Sequence, residues 1–345
     1  MKNFLTVLLS TLVGVLLSEI AYRTILISSP RSPLGPVHIS YPNPYLDYVP
    51  SPNHTGQGAL RFNKDKHYTF SINANGVRGP SLRPLLKGCP RILILGDSYT
   101  FGEGVSDGEV FSRMAEQRLK EEYKFCVEIV NGGVSGYNSV QSLHRLKELL
   151  PGMRPQGVIL EYTPNDTQPP SRSHPKAVYH YAYSWVWEDL MFHLLHNRPS
   201  FRRRLGIGLR KLGNDGYLNH FEEDRWNWRA SKDAVTEMAG ICRENGLSFQ
   251  IIQLPDFTKS FKKYPYHIIH SAVDVWAKEL GIDVTDYYPF FQGEDSKDYS
   301  LFEDGHPNAR AHEKIGAHLA DQIFNTYGKN ANTLNLAVTS RKKQN

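Results

Sequence analysis

Cysteine is scarce in this chain of 345 residues, which contains only Cys89, Cys126 and Cys242. They form no Cys-x-x-Cys motif, and three cysteines cannot all be paired, so the sequence indicates neither a disulfide framework nor a zinc site. Cys126 and Cys242 lie in apolar, periodic segments, which predicts that they are buried free thiols.

A large excess of charge of one sign is also lacking. The net charge is +5, which argues against a dedicated nucleic-acid-binding protein and is compatible with anionic surfaces such as acidic glycans or phospholipid. Internal repeats are absent, and the length allows one large domain or two small ones. The chain is 40% hydrophobic, with 19 Tyr and 16 Phe, so a substantial core is expected.

Only one long apolar run occurs, at residues 4–17, followed by Glu19 and Arg23. It is short for a membrane-spanning helix of about 20 residues and long for a signal-peptide core. Extension to Ala21 or Tyr22 restores a spanning length, and no small-x-small cleavage site follows. We therefore predict an uncleaved membrane anchor at residues 1–28 and an exported body. The alternatives are a cleaved signal peptide and an amphipathic helix docked on the domain, the latter disfavoured because the run is apolar all round.

Residues 29–89, here called the N-terminal extension, are predicted to form a tether and a β-containing segment. Pro, Ser, Asn and Tyr dominate residues 28–56, which is typical of irregular structure. Residues 67–73 alternate with period two before an Asn-Gly pair at 75–76, which predicts a strand entering a tight turn.

From residue 90 the pattern alternates between strand and helix, which predicts a parallel sheet wrapped by helices. Strands are expected at 91–95, 127–131, 157–162, 248–254 and 283–285. Helices are expected at 110–122, 139–150, 231–245, 266–280 and 309–327. The polar tail at 328–345 is predicted to be disordered.

An insertion at about residues 167–228 breaks this alternation. It contains four of the five tryptophans and a basic run at 198–211. Two interpretations stay open: a lid or substrate-binding cap beside the catalytic centre, or a helical excursion with a solvated basic face. Its histidines lack the cysteine or carboxylate spacing of a metal site.

Ser98 lies in a Gly-Asp-Ser-Tyr segment directly after the first predicted core strand. Serine at that position could cap the following helix. However, α/β folds place their chemistry at the carboxyl ends of strands, and a serine hydroxyl becomes nucleophilic when a base takes its proton. Ser98 is therefore predicted to be a nucleophile.

His306 is the candidate base, because it lies between Gly305 and Pro307 in an extended turn just before the last helix. A general base also needs an acceptor that orients its second ring nitrogen. Asp304, two residues upstream, is the candidate for that role.

Two further loops follow predicted strands and suit an oxyanion hole, which requires fixed N–H donors. Residues 131–137 are rich in glycine, whose lack of a side chain lets an anion approach the backbone. Residues 163–166 contain the side-chain amide of Asn165. Both loops could also be plain turns.

At these four segments the chain resembles the SGNH hydrolases, also called the GDSL esterase/lipase family. Ser98 matches the first block of that family, Gly136 the second, Asn165 the third and His306 the fourth. The resemblance covers residues 90–327 apart from the insertion. It implies an α/β fold, a three-layer α/β/α sandwich with a parallel sheet of about five strands. It also implies that Gly136, Asn165 and the Ser98 N–H form the oxyanion hole, without a cofactor or metal.

The chain departs from the family pattern in three places. Tyr99 replaces the commoner leucine, which we expect to leave the chemistry untouched, and Pro164 replaces a glycine. The aspartate usually lies three residues before the histidine, where this chain has Glu303. We assign Asp304 as the triad acid, with Glu303 as the alternative. The apolar N-terminus and residues 72–79 resemble a membrane-tethered bacterial branch.

The residues and the resemblance together predict a serine ester hydrolase that removes acyl groups from a carbohydrate or a lipid. An O-acyltransferase that modifies an envelope or exported polysaccharide would use the same triad. A non-catalytic glycan-binding module is the third hypothesis, against which the intact Ser98, His306 and Asp304 argue.

Overall fold

The computed structural model describes residues 2–28, 37–40, 43, 45–46, 48–60, 63–168, 217–218, 221, 226–301 and 305–328. Glu303, Asp304, most of the predicted insertion and the predicted tail beyond Gly328 lie outside these residues. The predictions of a triad acid, a lid and a disordered tail therefore concern parts of the chain that the structure does not describe.

The described residues of the N-terminal part form one helix and two antiparallel pairs of strands. Helix α1 spans Lys2–Ser28. Strand β1 (His38–Ser40) pairs with β2 (Tyr48–Pro50), and β3 (His54–Leu60) pairs with β4 (Asn63–Ile72). The predicted turn follows β4, where the Gly76 N–H donates to the Asn73 carbonyl at 3.0 Å.

The part of the chain that the structure describes contains no helix that is both long enough and apolar enough to cross a membrane. The membrane anchor predicted at residues 1–28 is therefore not supported. Residues 4–17 do lie in a helix, and the Arg23 guanidinium pairs with the Glu19 carboxylate one turn away at 2.7 Å.

The core is a parallel sheet of five strands: β5 (Arg91–Leu95), β6 (Glu128–Asn131), β7 (Gly157–Tyr162), β8 (Ser248–Gln253) and β9 (Asp283–Asp286). Their order is β6-β5-β7-β8-β9, with every neighbour parallel. All residues of β5 and β7 are buried, as expected for strands covered by helices on both faces. The predicted α/β fold with five parallel strands is confirmed.

In the ranges that the structure describes, six α-helices accompany the sheet: α2 (Ser98–Phe101), α3 (Phe111–Glu121), α4 (Ser139–Met153), α5 (Trp226–Glu244), α6 (His267–Glu279) and α7 (Ala309–Ile323). Helix α3 packs against α7, and α4 packs against α5. With right-handed crossovers, this pairing places helices on both faces of the sheet.

The strand order creates a crevice at the carboxyl end of β5. The chain leaves β5 toward β6 on one side and later returns to β7 on the other. The connections after β5 therefore diverge, and in open α/β sheets ligands bind at this point. The segments predicted to carry the chemistry follow β5, β6 and β7, and the histidine segment precedes α7.

The cysteine prediction is partly wrong. Cys89 and Cys126 form a disulfide, and Cys126 is exposed, whereas Cys242 is free and buried as predicted. The two bonded cysteines lie just before β5 and β6, which are adjacent parallel strands. Strand pairing thus brings together two residues that are separated by 37 positions in the sequence.

The described end of the insertion belongs to the core. Trp228 is buried and packs against Phe221 and Trp276, with ring centroids 4.9 and 5.4 Å apart. This tryptophan has a packing role, while Trp185 and Trp187 lie outside the described residues.

Candidate active site

Ser98 is the first residue of α2, at the point where β5 ends. The residue that caps this helix is Asp97, whose Oδ1 accepts the Tyr99 N–H at 2.7 Å. The serine hydroxyl is therefore not needed as the cap, which was the alternative role for Ser98. Ser98 is 8% exposed, so its hydroxyl lies within the crevice.

Gly96 allows the nucleophile segment to lie close to β7. A Cβ atom at Gly96 would collide with the Thr100 hydroxyl and with the Glu161 carboxyl group. This close approach explains why a glycine precedes the Asp-Ser pair.

His306 lies against Ser98, with 2.9 Å between its Nε2 and the serine Oγ. Gly305 has a φ of 73°, a left-handed conformation that favours glycine, and Asn308 caps α7 by accepting the Ala311 N–H. The two ends of the histidine turn are therefore defined by local geometry. The distance between Nε2 and Oγ allows direct proton transfer.

Tyr99 holds the histidine turn from the opposite side. Its buried hydroxyl donates to the Gly305 carbonyl at 2.9 Å, and its ring meets the His306 ring edge-on at 5.7 Å. Burial raises the pKa of Tyr99 well above its ordinary value, so the phenol stays protonated and remains a donor. The tyrosine that replaces the commoner leucine therefore adds a hydrogen bond beside the candidate base. Whether it leaves the chemistry untouched stays a prediction.

Asn165 lies in a short 3-10 helix, Pro164–Thr167, directly after β7. Its Nδ2 donates to Asp97 Oδ2 at 2.7 Å, and the Thr163 hydroxyl donates to its Oδ1. These two bonds turn the amide nitrogen toward the nucleophile segment. Because Nδ2 carries two hydrogens, one remains to bind a substrate oxygen.

Gly136 lies in the loop between β6 and α4. Two bonds tie this loop to the nucleophile strand: Gly132 N–H donates to Ile94 O at 2.8 Å, and Val134 N–H donates to Gly96 O at 3.1 Å. Gly136 itself is exposed and has a φ of 81°, which a residue with a side chain rarely adopts. The structure thus brings Ser98, Gly136, Asn165 and His306 to one edge of the sheet.

Two buried carboxyl groups lie on β7 and in the short helix that follows it. Glu161 Oε2 accepts the Thr100 hydroxyl at 3.0 Å, and Asp166 accepts the Thr163 N–H at 2.8 Å and the Ser139 hydroxyl at 2.9 Å. Burial, with Asp97 nearby, raises the pKa of Glu161 well above its ordinary value. Burial likewise raises the pKa of Asp166 to about 8, with a further contribution from Asp97.

Asp97 is a third buried acid, and its carboxyl group accepts the Tyr99 N–H and the Asn165 amide. Burial raises the pKa of Asp97 as well, and the hydrogen bonds from Asn165 and Tyr99 oppose that effect. The hydrogen bond from Asn165 to the Asp97 carboxyl group keeps the Asn165 amide in place.

Sequence reasoning missed Glu161, Asp97 and Glu103 as members of the site. A signal existed for Glu161, which is the one acidic residue in the apolar strand at 157–162. Glu103 lies at the mouth of the site, with its Oε2 3.9 Å from His306 Nε2 and its side chain 40% exposed. Nothing in the local pattern distinguishes Glu103 from an ordinary loop residue.

No group of three or more His, Cys, Asp and Glu side chains in the described ranges is arranged to hold a metal ion. The polar groups at this edge of the sheet include the Ser98 hydroxyl with the His306 imidazole beside it, and the Asn165 amide on a neighbouring loop. Groups of these types on a parallel α/β sheet are suited to ester hydrolysis.

The comparisons with known proteins agree with this class. The model of the GDSL-like lipase/acylhydrolase family matches residues 94–314, more than half of the chain. The chain therefore belongs to this family and is a carboxylic ester hydrolase. No curated protein sequence matches the chain significantly.

Several solved structures resemble this fold at low sequence identity. The psychrotrophic esterase EstA from a Pseudoalteromonas species is 16% identical, with 68% of this chain and 96% of that one covered and a TM-score of 0.42. A GDSL-like lipase from Bacteroides thetaiotaomicron is 15% identical, with 71% and 93% covered and a TM-score of 0.40. The acetyl-xylooligosaccharide esterase Axe2 from a Geobacillus species is 13% identical, with 68% and 94% covered and a TM-score of 0.43.

Proposed function

We propose that this esterase cleaves O-acyl esters with Ser98 as nucleophile and His306 as general base. The observation that carries the proposal is the 2.9 Å distance between His306 Nε2 and Ser98 Oγ. The Ser98 oxygen attacks the ester carbonyl while its proton moves to Nε2, and the carbonyl electron pair moves onto oxygen. His306 then gives the proton to the leaving alcohol, and water repeats the sequence on the acyl-serine.

The oxyanion formed in these steps is stabilised by the N–H groups of Ser98 and Gly136 and by Asn165 Nδ2. Support for Asn165 comes from its two hydrogen bonds, which keep the amide nitrogen toward the nucleophile segment. Asp304 is the proposed acceptor for His306 Nδ1, with Glu303 as the alternative at that position. Donors fixed in advance stabilise developing charge without reorganising.

We further propose that the leaving alcohol is a carbohydrate hydroxyl. His306 Nε2 must protonate this alcohol, and the Glu103 carboxylate lies 3.9 Å from the same nitrogen. A neighbouring hydroxyl of a sugar can donate a hydrogen bond to Glu103, whereas the alkyl chain of a lipid alcohol cannot. An exposed acidic group at this point therefore favours a polyhydroxylated alcohol over an apolar one.

The test uses the full chain and its Ser98→Ala variant with p-nitrophenyl esters of increasing acyl length and with acetylated sugars. We expect Ser98→Ala to lower kcat by at least about 10³-fold while its melting temperature stays close to that of the parent. Retained activity in Ser98→Ala would overturn the nucleophile assignment.

The alcohol preference is tested separately with Glu103→Ala. This variant should lose activity on acetylated sugars relative to alkyl acetates of equal acyl length. An unchanged ratio would refute the carbohydrate assignment and leave a lipid alcohol. Acyl transfer to an added glycan in preference to water would identify the enzyme as an acyltransferase.

We also propose that the domain works in an extracytoplasmic compartment. The disulfide between Cys89 and Cys126 supports this location, because such bonds persist in oxidising compartments and are rare in reducing ones. Thiol alkylation of protein taken directly from cells should modify Cys242 alone after denaturation. Modification of all three cysteines would contradict the proposal.

A further inference from the structure

A side chain of the N-terminal extension contacts the peptide that contains the proposed oxyanion donor. The Tyr48 hydroxyl donates to the carbonyl oxygen of Ser135 at 2.8 Å. That carbonyl belongs to the same peptide group as the Gly136 N–H. In a trans peptide the C=O and N–H bonds point in opposite directions, so a bond that holds the carbonyl also fixes the direction of the N–H.

We propose that Tyr48 is a positioning residue of the oxyanion hole, which acts through the Ser135–Gly136 peptide; the inference rests on the proposed function. The Tyr48 hydroxyl holds the carbonyl on the side of the extension, and the Gly136 N–H points away from it. Among the residues that the structure describes, no protein acceptor binds this N–H. The N–H therefore remains available to a substrate oxygen.

The backbone conformation at Gly136 makes such a clamp necessary. Its φ of 81° lies in the left-handed region, and a Cβ atom there would lie 3.0 Å from the Tyr48 hydroxyl oxygen. Glycine accepts this conformation but does not enforce it, because it has more conformational freedom than any other residue. A hydrogen bond from a rigid neighbour supplies the missing restraint.

Tyr48 is itself held firmly at this junction. It lies in β2, is 6% exposed and belongs to a buried cluster with Leu46, Val49, Val134 and Tyr137. The Tyr137 hydroxyl donates to the Tyr48 carbonyl, and the two rings meet edge-on at 5.3 Å. Reciprocal hydrogen bonds thus join β2 to residues on both sides of Gly136.

The same bond also strengthens the donor. A peptide whose carbonyl accepts a hydrogen bond is polarised, which makes its N–H a better donor. The benefit appears when negative charge develops on the substrate oxygen, so the clamp should affect the transition state more than substrate binding.

The test compares Tyr48→Phe with the parent, both as full chains. Active sites are first counted by stoichiometric reaction with a p-nitrophenyl phosphonate, so that kcat refers to competent enzyme only. A trifluoromethyl ketone then serves as the probe. Ser98 adds to its carbonyl carbon, the proton passes to His306, and the carbonyl electron pair becomes an oxyanion in the proposed hole.

We expect Tyr48→Phe to lower kcat by about three- to tenfold, the usual worth of one hydrogen bond, with KM changed by less than about twofold. The inhibition constant of the ketone should rise by the same factor as kcat falls. An unchanged kcat per titrated site and an unchanged inhibition constant would overturn the role of Tyr48.

Tyr137→Phe is the matched control, because it removes one phenol hydrogen bond from the same junction without touching the Ser135–Gly136 peptide. It should lower the melting temperature and leave the inhibition constant within about twofold of the parent. An equal rise of the inhibition constant in Tyr48→Phe and Tyr137→Phe would mean that the junction acts only by packing. That result would refute the specific role of the Tyr48 hydroxyl. If the phosphonate fails to titrate the parent, the proposed function fails, whatever the variants show.

Discussion

The α/β core and the N-terminal extension support the site in different ways. Side chains of the core place their polar atoms at the nucleophile: His306 at the Ser98 hydroxyl, and Asp97 at the Asn165 amide. Two extension side chains bind carbonyl oxygens of the loops instead. Arg78 donates to Phe101, Gly102 and Val105, and Tyr48 donates to Ser135.

This difference distinguishes side chains proposed to supply reacting groups from side chains that hold the backbone in position. In the proposed mechanism, groups of the core act on the substrate or on the groups that react with it, so their loss should abolish the reaction. The extension holds the backbone that carries those groups. Loss of one of its contacts should therefore lower the stability or kcat by a limited amount and should not abolish the reaction. The extension is therefore a structural part of the site and more than a tether.

The largest effect is expected at Asp304, the proposed triad acid. Asp304→Asn should lower kcat by about 10⁴-fold, because the histidine would adopt the wrong tautomer. Steady-state kinetics on a p-nitrophenyl ester measure the effect, and Glu303→Gln is the matched control with an expected change of less than about tenfold. The opposite pattern would assign the role to Glu303.

A substitution at Arg78 tests how much the extension contributes to the stability of the protein. Its guanidinium is buried, pairs with Asp107 at 2.8 Å and satisfies three loop carbonyls. Arg78→Met leaves these carbonyl acceptors without their donor and removes the ion pair with Asp107, so the free energy of unfolding should fall by about 3–5 kcal/mol.

Urea denaturation measures this loss, and Arg83→Met provides the control from the same segment. Arg83 is 46% exposed and pairs with Glu116 at 2.9 Å, so its removal should cost less than about 1 kcal/mol. Similar losses for Arg78 and Arg83 would contradict the role given to the buried guanidinium.

Tyr99 refines the comparison, because it belongs to the core and yet, like Arg78 and Tyr48 of the extension, it donates to a backbone carbonyl. It binds the Gly305 carbonyl beside His306 at 2.9 Å. Tyr99→Phe should lower kcat by about three- to tenfold with little change in KM. Tyr287→Phe removes a similar bond, to Gln322 at 3.0 Å, away from the site and should leave kcat unchanged. Equal kcat for Tyr99→Phe and the parent would show that the turn containing His306 keeps its position without the Tyr99 hydroxyl.

The smallest effect concerns the pH dependence of stability and arises from Asp166, a buried residue of the core. Burial raises the pKa of Asp166 from 3.8 to about 8. Below about pH 4 the folded and unfolded states are both protonated at this group. As the pH rises, the unfolded state loses its proton first, so stability decreases up to about pH 8.

Asp166→Asn removes this dependence while it can keep the bonds to Thr163 and Ser139. Relative to the parent, its free energy of unfolding should increase as the pH is raised from 4 to 8, as measured by urea denaturation at several pH values. Asp233→Asn, at an exposed position on α5, should follow the parent. A constant difference between Asp166→Asn and the parent would mean that Asp166 is ionised in the folded protein.

Much of the core could be predicted from local patterns. The strands at 91–95 and 157–162 coincide with β5 and β7, because a strand covered on both faces is apolar throughout. The segments around Ser98, Gly136, Asn165 and His306 could be found because each follows a strand or precedes a helix. In a parallel sheet the carboxyl ends of strands share one edge, so these segments had to be near one another.

The contacts that complete the site could not be predicted in this way. The disulfide depends on β5 and β6 being neighbours, and the alternation of strands and helices does not specify the order of strands. Tyr48 and Tyr99 look like ordinary aromatic residues in the sequence. Their hydroxyl groups become significant because folding places them against the carbonyls of Ser135 and Gly305, 87 and 206 positions away.

Local sequence was thus enough to specify the α/β class and to find the candidate nucleophile and the candidate base, because periodicity and turn chemistry act over a few residues. Only the tertiary structure decided which carbonyls are held, which carboxyl groups are buried and which cysteines meet. Those features depend on distances between segments far apart in the chain, and such distances are set by strand order and by the packing of the N-terminal extension on the core.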